Sequence, residues 1–409
     1  TMWMGVNPNV LKITEDIGND CALWNELATR TGVSLDFTVV NPDTESEKFN
    51  LMVASNDLSD IISNATTLYT NGGEAAVADE ILIDHLPYLT EELTPQICKL
   101  MEAYPDAVPE ALTESGWLAG MPQLSMQTET TQTFGPMIRK DWLDELGLDV
   151  PETYDELHDV LKAFKEKKGA DAALVLNYAA TGINNGLVQG YGINGLVADA
   201  AMSEPYYQVD DTVMYGPIQP EFKEYLTMIH DWYEEGLMDS DFVSIEYDPF
   251  SSYLSGQITS DQMGVWCTSG EGIDNYTVPV TCMASPVQNK GDKQHITEMT
   301  LAPADDITCV SISSGCAEPE LAMAWLDYWF SEDGVAFYNF GLEGTDYTLD
   351  ESSTPKFTDA VVNNEFGLSA SNYMRCRCAY GTMPSLMLRY RTGYLNSDLV
   401  NEAWDVWTS

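Results

Sequence analysis

Residues 134–168 read FGPMIRKDWLDELGLDVPETYDELHDVLKAFKEKK, and the punctuation in this stretch decides how the chain around it is built. The Gly135-Pro136 pair excludes a helix interior, so Phe134–Ile138 reads as extended chain that links two blocks of sequence. Lys140–Leu146 reads as a short helix stopped by Gly147, which tolerates the left-handed turn that closes helices, with Leu148 able to fold back onto Leu143. Beyond Pro151, Thr153 and Glu156 form a T-x-x-E capping pattern, and Leu157, Val160, Leu161 and Phe164 follow on one helical face. Lys162, Lys165, Lys167 and Lys168 close this helix where its dipole favours cations.

On the N-terminal side, Trp3–Val6, Val33–Val40 and Asp60–Ser63 read as strands, separated by helical patterns over Ile17–Thr31 and Glu45–Ala54. That alternation predicts a parallel sheet with crossover helices. On the C-terminal side, Ala172–Asn177 and Gln262–Cys267 read as strands and Pro220–Glu235 as helical. Ile307–Ile312 is a further strand, and Glu318–Phe330 a Trp-rich helix. Trp24, Trp325 and Trp329 fall on apolar helix faces and read as core.

The stretch IRKDWLDELGLDVPETYDELHDVLKAFK resembles the signature of the extracellular solute-binding proteins of family 1, the capturing component of bacterial ABC importers, mostly for carbohydrates. WNELATRTGVSLDF with LMVASNDLSDIIS, then SGWLAGMPQL, then GLEGTDYTLDESSTPKFT are similar to further family segments in the same order. The resemblance implies an α/β, two-lobe, periplasmic-binding-protein-like (type II) fold with a hinge of three crossing strands, the first near Phe134–Arg139. The expected division is 1–133 plus about 306–345 in one lobe and 134–305 plus about 346–409 in the other. It also implies capture of an oligosaccharide between the lobes, delivery to a membrane permease, a monomer, and an extracellular location secured by an N-terminal lipid outside this chain.

A chain of 409 residues is too long for one ordinary core and implies about two domains. With 65 acidic and 18 basic residues and a formal charge of −47, it lacks the basic face that nucleic acid or anionic lipid requires. No apolar run approaches the roughly 20 residues that span a bilayer. The eight cysteines are scattered rather than set as a disulfide scaffold, and Cys376-x-Cys378 has the wrong spacing for a zinc half-site. Lys165–Asp171 occupies the place where family members often carry a calcium loop, but its lysines cannot supply the oxygen ligands. No metal and no cofactor is expected.

Gly190-x-Gly192-x-x-Gly195 matches the dinucleotide fingerprint in letters only, because no buried strand precedes it. No nucleophile elbow, H-E-x-x-H pair or P-loop occurs, so no catalytic residue is expected. The alternatives to a neutral-sugar receptor are a secreted carbohydrate-active enzyme and a binding protein for a non-sugar or anionic solute. Ligands of open α/β sheets bind at the carboxyl ends of strands. On that rule Trp266, Thr268 and Ser269 at the end of one strand, and Asn7, Asn9 and Asn64 at the ends of two others, are candidate binding residues, with Trp266 as an aromatic platform. Arg375 and Arg377 belong to a late arginine cluster and are candidates for an anionic group, against the simpler expectation of pairing with the carboxylate excess.

Overall fold

The computed structural model describes residues 1–5, 22–103, 105, 108–125, 134–176, 187–193, 206–209, 212–242, 262–269, 273, 276, 278–292, 304–351, 353–366, 370, 373–374, 383–387 and 398–408. The chain forms two compact α/β units, residues 1–128 with 300–396 and residues 129–299 with 397–409, and it passes from one unit to the other three times.

The first unit is built on six strands: β1 (Met2–Gly5), β2 (Phe37–Val40), β3 (Ile61–Ser63), β4 (Met121–Ser125), β11 (Ala304–Ile312) and β14 (Leu386–Met387). Their spatial order is β14-β4-β11-β3-β1-β2. β1 runs parallel to both β2 and β3, as the strand-helix spacing predicts, whereas β11 enters between β3 and β4 antiparallel to both. Alternation along β1 sends Met2 and Met4 to one face and Trp3 to the other. Met2 and Met4 meet Leu23, Trp24 and Leu27 of the Ala22–Thr31 helix and Trp325, Trp329 and Phe337 from the later helices. Trp3 meets Phe49, Ile62 and Ala76 on the opposite face. Trp24, Trp325 and Trp329 are core, as their helical spacing predicts. Asp327 fastens two of these layers, accepting from the N–H groups of Gln96 and Ile97 at the start of the Pro95–Ala103 helix.

The second unit carries β5 (Phe134–Arg139), β6 (Ala172–Val175), β9 (Met263–Ser269) and β10 (Val280–Cys282) in the order β10-β5-β9-β6, and a hairpin of β7 (Tyr206–Val209) and β8 (Thr212–Tyr215). Ile138, Leu174, Val265 and Cys267 face a core made with Leu157, Leu161, Phe164 and Trp232. Gly135 lies on the other face, under the indole of Trp407 from the Asp398–Thr408 helix, and a Cβ there would collide with that ring. The Trp407 N–H donates to the Pro136 carbonyl at 3.2 Å.

The capping pattern forms with one change. Thr153 Oγ1 accepts from the Glu156 N–H at 3.3 Å, but the Glu156 carboxylate accepts from the N–H of Glu152 and pairs with Lys290. Gly147 takes the left-handed conformation, and Leu148 donates back to the Leu143 carbonyl.

Two expectations are corrected. Phe134–Arg139 is not a linker: it is an interior strand, paired with β9 on one side and β10 on the other, and the first passage between units lies at 128/129. Residues 346–396 belong to the first unit, not the second, because Tyr347, Phe357, Val361, Met374 and Met383 fill its core and β14 pairs with β4. The hairpin of β12 (Tyr347–Leu349) and β13 (Pro355–Phe357) brings the first two of these side chains inward.

His85 sits wholly inside the first unit, where its Nε2 accepts from the Ile312 N–H at 3.0 Å. Burial holds its pKa down at about 3, against an ordinary value of 6.5, because protonation would both place a charge in apolar surroundings and remove the accepting lone pair. Between these values the unfolded chain binds the proton and the folded one does not, so the stabilisation is complete above pH 6.5 and is lost as pH falls toward 3. Urea titrations between pH 4 and 6 should show His85→Gln losing a slope of roughly 1.4 kcal/mol per pH unit relative to the parent. Identical slopes would show that His85 is not the group titrating there.

Candidate functional site

At the carboxyl edge of the first unit, β1 ends at Gly5 and β3 at Ser63, with Asn64 immediately beyond. The parallel register pairs Met2 with Ile61 and Trp3 with Ile62, so continuing it brings Gly5 beside Asn64. Asn64 is held in the left-handed region at φ 57°, a conformation that asparagine tolerates better than most residues and that tends to occur at functional edges. Glu45, the first residue of the helix that follows β2, lies with its carboxylate against Gly5, where any Cβ would collide with it. The Asn64 side chain and the Gly5 N–H hydrogen-bond to this carboxylate. Burial nevertheless outweighs them and holds its pKa above the ordinary carboxylate value. Among the described residues, Glu45 Oε1 and Asn64 Oδ1 are shielded from solvent without a hydrogen-bond partner.

At the carboxyl end of β9 in the second unit, Trp266 differs from the expected platform. It is fully buried, with its ring edge-on to Tyr276 at 5.2 Å between centroids. Its N–H donates to the Tyr276 hydroxyl at 3.0 Å, which in turn donates to Thr268 Oγ1 at 2.9 Å. An indole with its ring covered and its only donor satisfied holds the strand end in place and offers no open face for a ligand. Burial raises the Tyr276 phenol, so the hydroxyl stays protonated and able to donate. Thr268 is buried with it, and Ser269 pairs with Phe134 as the last residue of β9. Tyr276 escaped the sequence reading because no helical or alternating pattern in the letters around it marks a residue's direction.

Of the remaining candidates, Asn7, Asn9, Arg375 and Arg377 lie outside the described residues, as do Cys376 and Cys378. Gly190 belongs to a single turn, Gln189–Tyr191, packed so closely on the Pro286 carbonyl that no Cβ fits; Gly195 is outside the described residues. That placement gives Gly190 a packing role. Lys165–Lys168 lie in a widened helical turn ended by Gly169, and Lys168 pairs with Glu145. Cys98, Cys267, Cys282 and Cys316 are free thiols. Burial pushes Cys267 up to about 12 and Cys282 to about 11, so neither supplies a thiolate at neutral pH. Among the described residues no group of three or more His, Cys, Asp or Glu side chains could hold a metal ion.

Residues 22–342 match the family described as bacterial extracellular solute-binding protein. The chain belongs to that family. Lipoprotein LipO of Bacillus subtilis is 25% identical over 351 residues, 82% of this chain and 65% of its own. The fructooligosaccharide ABC transporter substrate-binding protein FusA of Streptococcus pneumoniae is 25% identical over 364 residues, 82% of this chain and 63% of its own. This solute-binding chain therefore spans just under two thirds of the length of both. In three dimensions it is similar to an extracellular solute-binding protein from Bifidobacterium longum subsp. infantis, with a TM-score of 0.76 at 19% identity over 99% of this chain and 80% of the other. The fold is thus the two-lobe α/β fold of ABC-transporter substrate-binding proteins.

The position of Trp266 in this solute-binding chain gives it a structural role. Trp266→Ala should lower the stability of the second unit by roughly 3–5 kcal/mol, the usual cost of emptying a buried aromatic site. Guanidinium unfolding followed by far-ultraviolet circular dichroism measures this, and a loss below about 1 kcal/mol would put the ring outside the packed interior.

Proposed function

We propose that this chain is the extracellular binding component of an ABC importer, that its solute is an oligosaccharide, and that it hands the solute to a membrane permease without altering it. The observation that carries the reading is the extent of the family match, residues 22–342, which takes in most of both units. FusA, whose name gives fructooligosaccharide as its solute, supports the sugar class, and LipO, named as a lipoprotein, supports attachment outside the cell by an N-terminal lipid. The candidate edge also suits a sugar. Asn64, directly beyond the carboxyl end of β3 in the first unit, is a short, fixed polar group in the placement expected for ligands of open α/β sheets. The monomeric state and the permease partner belong to the same reading.

Native mass spectrometry after incubation with fructooligosaccharides, maltooligosaccharides and oligogalacturonates tests it. A one-to-one adduct, with the added sugar recovered at unchanged mass, is the expected outcome. Recovery of shortened sugars would replace the receptor reading with an enzyme, and absence of any adduct across all three series would remove oligosaccharides as the solute class.

A further inference from the structure

We propose that the second unit supplies its own cation. The ammonium groups of Lys162, Lys165 and Lys168 tie three helix C-termini together in the place where family members often carry a calcium loop, and the unit is stable there without calcium. The inference goes beyond the oligosaccharide reading and does not depend on it.

Three helices end around this segment. The Lys140–Leu146 helix stops at Gly147 with Glu145 in its last turn, and the Tyr154–Ala163 helix runs on through the widened turn Phe164–Lys168 to Gly169. The Pro220–Glu234 helix ends at Glu235, followed by Gly236 in the left-handed region. Each such end carries roughly half an elementary negative charge on its unpaired carbonyls, and the Glu145 and Glu235 carboxylates add to it. The lysines meet these ends in turn. Lys168 pairs with Glu145 and places its Nζ 5.8 Å from the ring centroid of the buried Trp142. Lys165 donates to the Glu235 carbonyl, and its Nζ lies 2.7 Å from where a Cβ on Gly236 would stand. Lys162 Nζ lies 3.2 Å from Glu235 Oε2, and Lys162 with His158 holds that carboxyl below the ordinary carboxylate range. The wider turn explains the division of labour. In an α-helix residues three apart share a face, whereas the extra residue per turn spreads Lys165 and Lys168 toward different neighbouring helices.

A calcium ion takes about six to eight oxygen ligands, and the residues here do not offer them. Glu145 and Glu235 already face ammonium groups, and among the described residues no three His, Cys, Asp or Glu side chains converge on a metal position. A divalent ion would have to displace one tethered ammonium and stand beside the others, where like charges repel. A lysine fixed to the helix it neutralises is present at every calcium concentration.

Thermal unfolding of the full chain in calcium chloride, magnesium chloride and EDTA, at one ionic strength, tests this. The parent should melt within about 1 °C in all three, since an ion held by the folded state alone would raise the midpoint. Lys165→Met and Lys168→Met keep the length of the side chain and remove the charge, and each should lower the midpoint by about 2–4 °C. Lys168→Arg keeps the charge and should melt near the parent. The deficit of the double methionine variant should shrink as sodium chloride rises to about 1 M, because salt screens ion pairs and leaves packing in place. A parent midpoint several degrees higher in calcium than in both magnesium and EDTA would overturn the proposal by revealing a bound metal. Parent-like melting of both methionine variants would overturn it too, as would a deficit that salt leaves unchanged, which would make the lysines packing groups and not cations.

Discussion

The pairing of β11 with β3 and β4 is the constraint on which the first unit depends. β3 and β4 lie far apart in the early chain, and neither pairs with the other; β11, reached only after the chain has run through the second unit, fills the gap antiparallel to both. Such closure is entropically costly and needs substantial burial to offset it. Val310 and Ile312 supply part of that burial in the same core as Trp325 and Trp329. His85 reinforces the joint by taking the Ile312 N–H, and Ile83 donates to the Ile312 carbonyl. With β11 seated, β3 is held between two partners and its carboxyl end, where Asn64 turns, becomes a fixed edge.

Local chemistry was legible where it is dictated by neighbours in sequence. The Lys140–Leu146 helix, its Gly147 stop and the Thr153 cap all form where the letters place them, because each depends on groups within a few residues. Leu157, Leu161 and Phe164 face a core as helical spacing requires. The same stretch misled at its start. Gly135-Pro136 does exclude a helix, but it does not make a linker: proline is accommodated in β5, and Gly135 is required by the indole that packs on it. A glycine selected by a residue more than two hundred positions away cannot be recognised from its neighbours.

The candidate site was legible to a similar depth. Asn64 follows from the rule that ligand groups cluster at strand ends, and it does stand at such an end. Glu45 reads in sequence only as an acidic residue in a helix's first turn, where the helix dipole favours it, and nothing local reveals that its carboxylate folds over Gly5. Trp266 shows the opposite error. A large aromatic near a strand end suggested a platform, but the residue count along β9 could not show that Tyr276 would cover it.

The order in which the chain finishes its two units has a consequence for how the protein comes to be made. The sheet of the first unit receives its last strand at Leu386–Met387, and the second unit receives the Trp407 helix only at 398–408. During synthesis the chain therefore remains without both segments until residues 386–408 have emerged. Until then β4 lacks its second neighbour and Gly135 lacks the indole that covers it, and exposed strand and apolar surface of that kind is what chaperones recognise in unfinished chains. Arrival of residues 386–408 gives β4 its second neighbour and covers Gly135 with the Trp407 indole, so two short late segments complete the two units almost together.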